Sequence, residues 1–193
     1  MNVLACGVGG QGVILFSDIL ANLALSAGLD VKKSEVHGMS QRGGSVISHI
    51  RYESKVYSPL IEEGTADLIV AFEKLEGLRA SHFLAPSGKL VFDPHRIDPL
   101  PVQLGLVERI DDQRLDERLQ ARAPNRVAIP AFATAKQLGT PRVQNIVMLG
   151  AVSRFLEFPA DAYKTVIRTL VKPEFLEINL TAFATGQKLV PQQ

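Results

Sequence analysis

The strongest constraint on the fold is a glycine-rich turn at the start of the chain, where a short apolar run leads directly into an apolar segment with helical spacing. Gly7, Gly9 and Gly12 satisfy the pattern G-x-G-x-x-G, and Gly10 and Gln11 complete the turn. Glycines here permit a tight connection from strand to helix and let a ligand approach backbone N–H groups at the positive end of the helix. The turn predicts a βα unit with an anion-binding site. Glycines that serve only close packing of helix on strand are the alternative.

A dinucleotide site would also need an acidic residue about 20 residues further on, to bind a ribose hydroxyl. Asp30 and Glu35 bracket that position. However, Asp30 follows Gly28 and is typical of a turn before a strand, whereas Glu35 leads into an unusual polar segment. The sequence therefore favours some other anion over a dinucleotide.

Length and charge narrow the class of protein. The 193 residues suit one domain with one core, spanning residues 1–193. The net charge is +1, from 21 lysines and arginines against 20 aspartates and glutamates, so nothing indicates nucleic acid or an anionic membrane as partner.

No apolar run approaches the roughly 20 residues of a membrane span, and a strand begins the chain where a signal peptide would stand. We expect a cytoplasmic protein.

Cys6 is the only cysteine, and it falls where the first strand ends. A single thiol cannot hold an iron–sulfur cluster, which needs about four thiolates, so any such cluster must belong to another chain. We expect Cys6 to be a small buried hydrophobe. No second ligand stands at metal-binding spacing from His37, and we predict neither a metal site nor a catalytic residue in this chain.

The alternation of strands and helices predicts an α/β fold: three layers, α/β/α, around a Rossmann-like, mostly parallel sheet, with a β-hairpin and a helical C-terminal part. Predicted strands span residues 3–6, 31–36, 67–72, 89–93, 126–129 and, more weakly, 105–110, and the hairpin pairs 45–52 with 55–57. Predicted helices span residues 11–27, 73–84, 112–122, 131–138, 142–158, 161–171 and 173–189. Apolar residues such as Leu15 and Ile19 extend nearly around the first helix, so a second subunit could cover part of it.

A second polar segment, residues 35–45, lies between two predicted strands. It combines glycines, which allow close backbone approach, with an arginine whose planar fork suits carboxylate or phosphate. The candidate binding residues are His37, Gln41, Arg42, Gly43 and Gly44. We expect this loop to contact a ligand or another subunit near the glycine turn, at the carboxyl edge of the sheet. The alternative is an ordered crossover in which Arg42 pairs with Glu35.

Together these motifs resemble the gamma component of 2-oxoacid:ferredoxin oxidoreductases of the pyruvate and ketoisovalerate type. The run from His37 to Gly44 is most similar to the beta subunit of indolepyruvate ferredoxin oxidoreductases. The resemblance rests on residues 7–13, 34–46, 57–59, 66–68, 145–151 and 177–186, in that order, and so covers almost the whole chain.

The resemblance implies that this chain is the small subunit of an enzyme that converts a 2-oxoacid and coenzyme A to acyl-CoA and carbon dioxide, with reduction of ferredoxin. The 2-oxoacid would be indolepyruvate or a related aryl acid. Thiamine diphosphate with Mg and the 4Fe-4S clusters would lie in the large subunit, and this chain alone would bind none of them. Its role would be docking and reception of coenzyme A, with no activity of its own. The competing readings are a free-standing nucleotide or small-molecule binder, and a purely architectural subunit.

Overall fold

The computed structural model describes residues 1–37 and 44–190. The predicted residues Gln41, Arg42 and Gly43 lie outside this range, and His37 is described only as a backbone position. The strands are β1 (Asn2–Val8), β2 (Asp30–His37), β3 (Ser45–Glu53), β4 (Ala66–Ala71), β5 (Leu84–Phe92) and β6 (Arg126–Ala128). The α-helices are α1 (Val13–Ser26), α2 (Lys74–Ala80), α3 (Leu100–Gln103), α4 (Asp112–Arg122), α5 (Ala131–Gln137), α6 (Gln144–Val152), α7 (Ala160–Leu170) and α8 (Leu176–Lys188).

The six strands form one mixed sheet in the order β2-β3-β1-β4-β5-β6. Strands β1, β4, β5 and β6 run parallel, and β3 runs antiparallel to both of its neighbours. The carboxyl ends of the parallel strands therefore share one edge, to which the turn after β1 belongs. This arrangement confirms the α/β class and the mostly parallel sheet.

Side chains of β1 alternate between two apolar clusters, as the two-residue period of a strand requires. Val3 and Ala5 join a cluster that contains residues of α1, α5, α6, α7 and α8. Leu4 and Cys6 join a second cluster, with residues of α2 and α4. The sheet thus has helices on both faces, which confirms the three predicted layers. No described helix has the length and apolar character needed to cross a membrane.

The predicted hairpin partner is wrong. Strand β3 pairs with β1 and β2, and residues 55–57 form no strand. The backbone N–H of Val56 donates to Asp30 Oδ2 at 2.9 Å, a side-chain contact in place of a ladder bond. The antiparallel hairpin of this fold is instead the β2–β3 pair, which the polar loop connects.

Three further expectations need correction. Residues 105–110 form no strand and belong to an excursion between β5 and α4 that also contains α3. The second subunit is not needed to cover Ile19, which is fully buried within this chain where α1 packs against β2, β3, α6 and α7. The long predicted helix over residues 142–158 is also shorter, because α6 ends at Val152.

Candidate functional site at the glycine turn

The glycine turn connects β1 to α1 at the carboxyl edge of the sheet. Gly10 and Gly12 have φ angles of 103° and 79°, in the left-handed region that side chains rarely adopt, so glycine is required there by the backbone. Gly12 is the N-cap of α1, and a Cβ on it would lie 2.5 Å from Asn145 Nδ2. Asn145 in turn donates to the Gly12 carbonyl at 3.3 Å. The turn is thus packed against the first residues of α6.

The side chain of Gln11 folds back into this turn. Its Oε1 accepts from the backbone N–H of Val8 at 2.7 Å, and its Nε2 donates to the Phe72 carbonyl at 2.8 Å. A Cβ on Gly7 would meet Gln11 Oε1 at 2.9 Å, so the missing side chain at Gly7 leaves room for the glutamine. Gln11 therefore links the ends of β1 and β4. Because Gln11 accepts from the Val8 N–H, that donor is not available to a ligand.

A buried polar network continues from Gln11 to the neighbouring strand. Gln144 Nε2 donates to the Phe72 carbonyl at 2.8 Å and to Asp93 Oδ2 at 2.9 Å. Asp93 also accepts from the backbone N–H groups of His95 (2.9 Å) and Phe132 (2.6 Å). Desolvation by burial raises the pKa of Asp93, and these hydrogen bonds oppose the shift. Both carboxylate oxygens hold backbone in place, which is a structural role for a buried acid.

The polar loop ends directly beside the glycine turn. The backbone N–H of Gly9 donates to the Gly44 carbonyl at 2.8 Å. One residue further, Ser45 Oγ donates to Glu76 Oε2 at 2.5 Å, and Glu76 is buried on α2. The structure therefore brings one predicted residue of the polar loop, Gly44, against Gly9 of the glycine turn.

The arrangement of strands does not fit a dinucleotide site. Strand β3 lies between β1 and β2, so the end of β2 is two strands away from the glycine turn, roughly 10 Å at ordinary strand spacing. Asp30 binds the backbone N–H of Val56, which together with Lys32 and Lys55 lowers the pKa of its carboxyl. Glu35 Oε1 accepts from Lys33 Nζ at 2.7 Å. Neither acid lies where a ribose bound at the turn would require it.

An apolar groove opens beside the turn, with a volume of about 480 Å³. It lies where α1 and the start of α6 meet the junction of α7 and α8. Leu15 and Phe175 contribute apolar surface, and Arg142 and Lys172 bring two cationic side chains to the same groove. The sequence alone did not indicate this groove or the role of Gln144, because both depend on residues that are distant along the chain. The groove joins Leu15 to residues 140–179, and Gln144 contacts Phe72 and Asp93.

Cys6 is buried, at 1% exposure, and its Sγ lies 3.6 Å from the Glu76 carbonyl. Desolvation raises the pKa of the thiol well above its usual value, and the nearby Glu76 and Glu73 raise it further. This confirms Cys6 as a packed hydrophobe, because a reactive thiol needs an accessible, stabilised thiolate. Among the described residues, no group of three histidine, cysteine or acidic side chains is placed to hold a metal ion.

The family model for pyruvate ferredoxin/flavodoxin oxidoreductase matches residues 2–189. The chain belongs to this family. Among curated relatives, the indolepyruvate oxidoreductase subunit IorB of Pyrococcus horikoshii is 36% identical, over 97% of this chain and 94% of the relative.

Solved structures share the fold of this chain. The gamma subunit of a keto/oxoacid ferredoxin oxidoreductase from Geobacter sulfurreducens PCA has the same fold, with a TM-score of 0.71, 24% identity, and coverage of 97% of this chain and 96% of that one. The 2-oxoglutarate:ferredoxin oxidoreductase from Magnetococcus marinus, solved with 2-oxoglutarate, coenzyme A and succinyl-CoA bound, has a TM-score of 0.75 and 25% identity. The match covers 98% of this chain and 30% of that longer chain. The resemblance given by the sequence motifs is therefore confirmed.

Proposed function

We propose that this chain is the small subunit of a cytoplasmic 2-oxoacid:ferredoxin oxidoreductase that acts on indolepyruvate or a related aryl 2-oxoacid. The observation that carries the proposal is the 36% identity to an indolepyruvate oxidoreductase subunit over nearly the full length of both chains. The chain would form one gamma-type domain over residues 1–193 and would be inactive alone. Its larger partner would hold thiamine diphosphate, Mg and the 4Fe-4S clusters and would pass electrons to ferredoxin.

The distribution of thiols supports this division of labour. The only cysteine is buried in the apolar cluster under α2 and α4, so the residues of this chain do not fit an iron–sulfur cluster. What the chain offers instead is surface for a partner and donors for an anion.

The excursion between β5 and α4 is the surface that we propose contacts the large subunit. We define the leucine excursion as residues 94–111. It exposes Leu100, Leu104, Leu106 and Val107, at 64%, 63%, 75% and 55% of their surface. Neighbouring exposed apolar side chains in a folded protein are typical of protein interfaces.

The base of the leucine excursion is held by ion pairs. Arg96, whose side chain is only 9% exposed, binds Asp98 at 2.7 Å and Asp112 at 2.8 Å. Arg109 binds the same two carboxylates, at 3.0 and 3.1 Å. Four side chains thus fix the base and position the apolar residues before any partner binds, which reduces the entropy lost on association.

The glycine turn and the polar loop are the side that we propose receives coenzyme A. The phosphates of coenzyme A can accept hydrogen bonds from an arginine and from glycine backbone N–H groups near the start of a helix. The hydrogen bond from the Gly9 N–H to the Gly44 carbonyl supports the proposal, because Gly44 stands two residues after Arg42 in the sequence. The proposed binding residues remain Gly7, Gly9, Gly10, Gln11, Gly12, His37, Gln41, Arg42, Gly43 and Gly44. A purely architectural role for the turn is the alternative, favoured by the way Gln11 and Asn145 fill the space at Gly7 and Gly12.

The test is to produce this chain alone and together with the large subunit encoded in the same organism. We expect indolepyruvate-dependent reduction of ferredoxin only from the co-purified complex. A titration of each preparation with coenzyme A, NAD, NADP and FAD separates the alternatives. Binding of a dinucleotide by the isolated chain would contradict the proposal. If the large subunit alone binds coenzyme A as tightly as the complex does, this chain has an architectural role.

A further inference from the structure

A second cavity lies on the opposite face of the sheet and toward its amino edge, between the ends of α2 and α4. Its volume is about 400 Å³. The lining residues are Leu78, Arg79, Ser81, His82, Arg118, Ala121 and Arg122. Three of the seven are arginines, one is a histidine and none is acidic, in a chain whose net charge is only +1. Positive charge is therefore concentrated at this cavity.

Among the described residues, an acid pairs with one of the three guanidinium groups. Arg79 pairs with the buried Glu76 at 2.6 Å. In the part of the chain that the structure describes, no hydrogen bond or ion pair holds the side chain of Arg118 or Arg122. These two lie one helical turn apart on α4, a spacing at which like charges destabilise a helix. An anion bound between them would convert this repulsion into attraction.

His82 lines the same cavity and offers a ligand a donor when its ring is protonated. Its Nδ1 lies 2.8 Å from the Arg79 carbonyl, and a carbonyl can only accept, so Nδ1 carries a proton. When the ring is protonated, Nε2 becomes a second donor. The nearest acid to it, Glu63, stands 3.9 Å away, which is too long for a hydrogen bond.

Helix termini account for only part of this cluster. Arg79 and Arg122 are in the last turns of α2 and α4, where cations stabilise the negative end of the helix dipole. Arg118 is a full turn earlier in α4, beyond the range of that effect. It also faces the same cavity as the other two, and the helix dipole gives no reason for the three to converge.

We propose that this cavity binds the phosphate group of a small molecule. Arginine suits this role because its planar donors match two phosphate oxygens at once. Leu78 and Ala121 provide apolar wall for the rest of the ligand. The inference concerns a different face of the domain from the glycine turn and is independent of the proposed function.

The test is calorimetric titration of the full chain, and of its complex, with inorganic pyrophosphate at low ionic strength. We expect saturable binding at one site per chain. Arg118→Gln and Arg122→Gln should each weaken it by about tenfold or more, as expected when a hydrogen bond to a charged group is lost. Both side chains are exposed at the surface, so the two variants should retain the thermal stability of the wild type, which a melting curve verifies.

Two further variants keep the result specific. Arg168 is exposed on α7, on the face of the sheet opposite to α2 and α4. Arg168→Gln removes the same charge there and should change the affinity for pyrophosphate less than twofold. Arg142→Gln tests the groove beside the glycine turn. The proposal is overturned if pyrophosphate shows no saturable binding, if Arg168→Gln weakens it as much as Arg118→Gln, or if only Arg142→Gln does.

Discussion

Gly150 and Gly186 allow α6 and α8 to pack with their backbones in contact. A Cβ on Gly150 would lie 2.1 Å from the Phe183 carbonyl oxygen, and one on Gly186 would lie 2.0 Å from the Val147 carbonyl oxygen. Neither glycine has a positive φ, so close approach and not backbone conformation requires them. The two family-like segments near the C-terminus, residues 145–151 and 177–186, are therefore the two sides of one helix contact.

Gly186→Ala should destabilise the protein by about 1–3 kcal/mol, because a methyl group at backbone contact forces the two helices apart. This loss should outweigh the gain of up to about 1 kcal/mol that alanine brings to a helix. Urea unfolding measures the difference. Ala184→Gly, exposed on the same helix, is the control for helix propensity and should cost at most about 1 kcal/mol. A more stable Gly186→Ala variant would contradict the close contact.

His49 should make stability fall at acid pH. It is buried, and Nδ1 accepts from the backbone N–H of Ile61 at 3.2 Å, so protonation would place a second proton against that donor. Desolvation lowers the pKa of His49 in the folded state. The unfolded chain, with an ordinary pKa of about 6.5, then binds the proton first. The His49 contribution is complete above pH 6.5 and is lost as the pH falls toward the lower folded pKa.

Urea unfolding between pH 7.5 and 5 measures this loss for the wild type and for His49→Asn. The asparagine can still accept from Ile61 but has no proton to bind, so its stability should depend less on pH across this range. His82→Asn, at the surface, serves as the control. Equal pH dependence in the wild type and His49→Asn would exclude His49 as the cause.

The elements that the sequence predicted well carry local signals. The turn at Gly7 to Gly12, the continuous apolar strand that became β4, and the charged helix α4 each follow from spacing within a few residues. The strand partners of β3 and the leucine excursion could not be found this way. Register between distant strands depends on contacts that a single sequence does not reveal, and residues 105–110 have an apolar character typical of a strand although they extend from the surface.

The same limit applied to the site. The glycines and the polar loop were found because unusual residue types stand together in the sequence. Gln144 and Asp93 carry no signal of their own in the sequence, because their roles arise only when the fold brings Gln144 to both the Phe72 carbonyl and Asp93. The expectation that the loop lies near the turn follows from a general property of parallel sheets, whose ligands bind at the carboxyl edge. Of this loop, the structure describes Gly44 beside Gly9.

The leucine excursion should be required for assembly and not for folding. Leu104→Asp and Leu106→Asp add a charge to side chains that are already 63% and 75% exposed, so the stability of the isolated chain should change by less than about 0.5 kcal/mol. In the complex the charge would have to be buried against apolar surface, and co-purification of the large subunit should be lost or strongly reduced. Leu25→Asp, 56% exposed on α1, is the matched control. Equal loss in the control, or full assembly of both variants, would refute this interface.

Gln11 should stabilise the glycine turn through both ends of its amide. Gln11→Glu replaces the nitrogen that donates to the Phe72 carbonyl with an oxygen, and two acceptors then face each other. Gln11→Ala leaves the N–H of Val8 without its acceptor in a buried position. Each change should cost about 1–3 kcal/mol in urea unfolding. Gln137→Ala, at an exposed position of α5, should cost less than about 0.5 kcal/mol. Variants at Gln11 as stable as this control would show that the turn holds without the network.

Arg42 distinguishes a ligand site from a structural crossover. If it binds a phosphate of coenzyme A, Arg42→Ala in the assembled enzyme should raise the apparent KM for coenzyme A, with a loss of about 1.5–3 kcal/mol in kcat/KM. The KM for the 2-oxoacid should not change. If Arg42 instead serves only to pair with Glu35, the double variant Arg42→Ala/Glu35→Gln should be nearly as active as the wild type, with an unchanged KM for coenzyme A. Glu35 already accepts from Lys33, so Glu35→Gln alone should retain the fold and provide the baseline for that comparison. An unaltered KM for coenzyme A in Arg42→Ala, after correction for the folded fraction, would remove the loop from the binding site and leave the glycine turn as its remaining candidate.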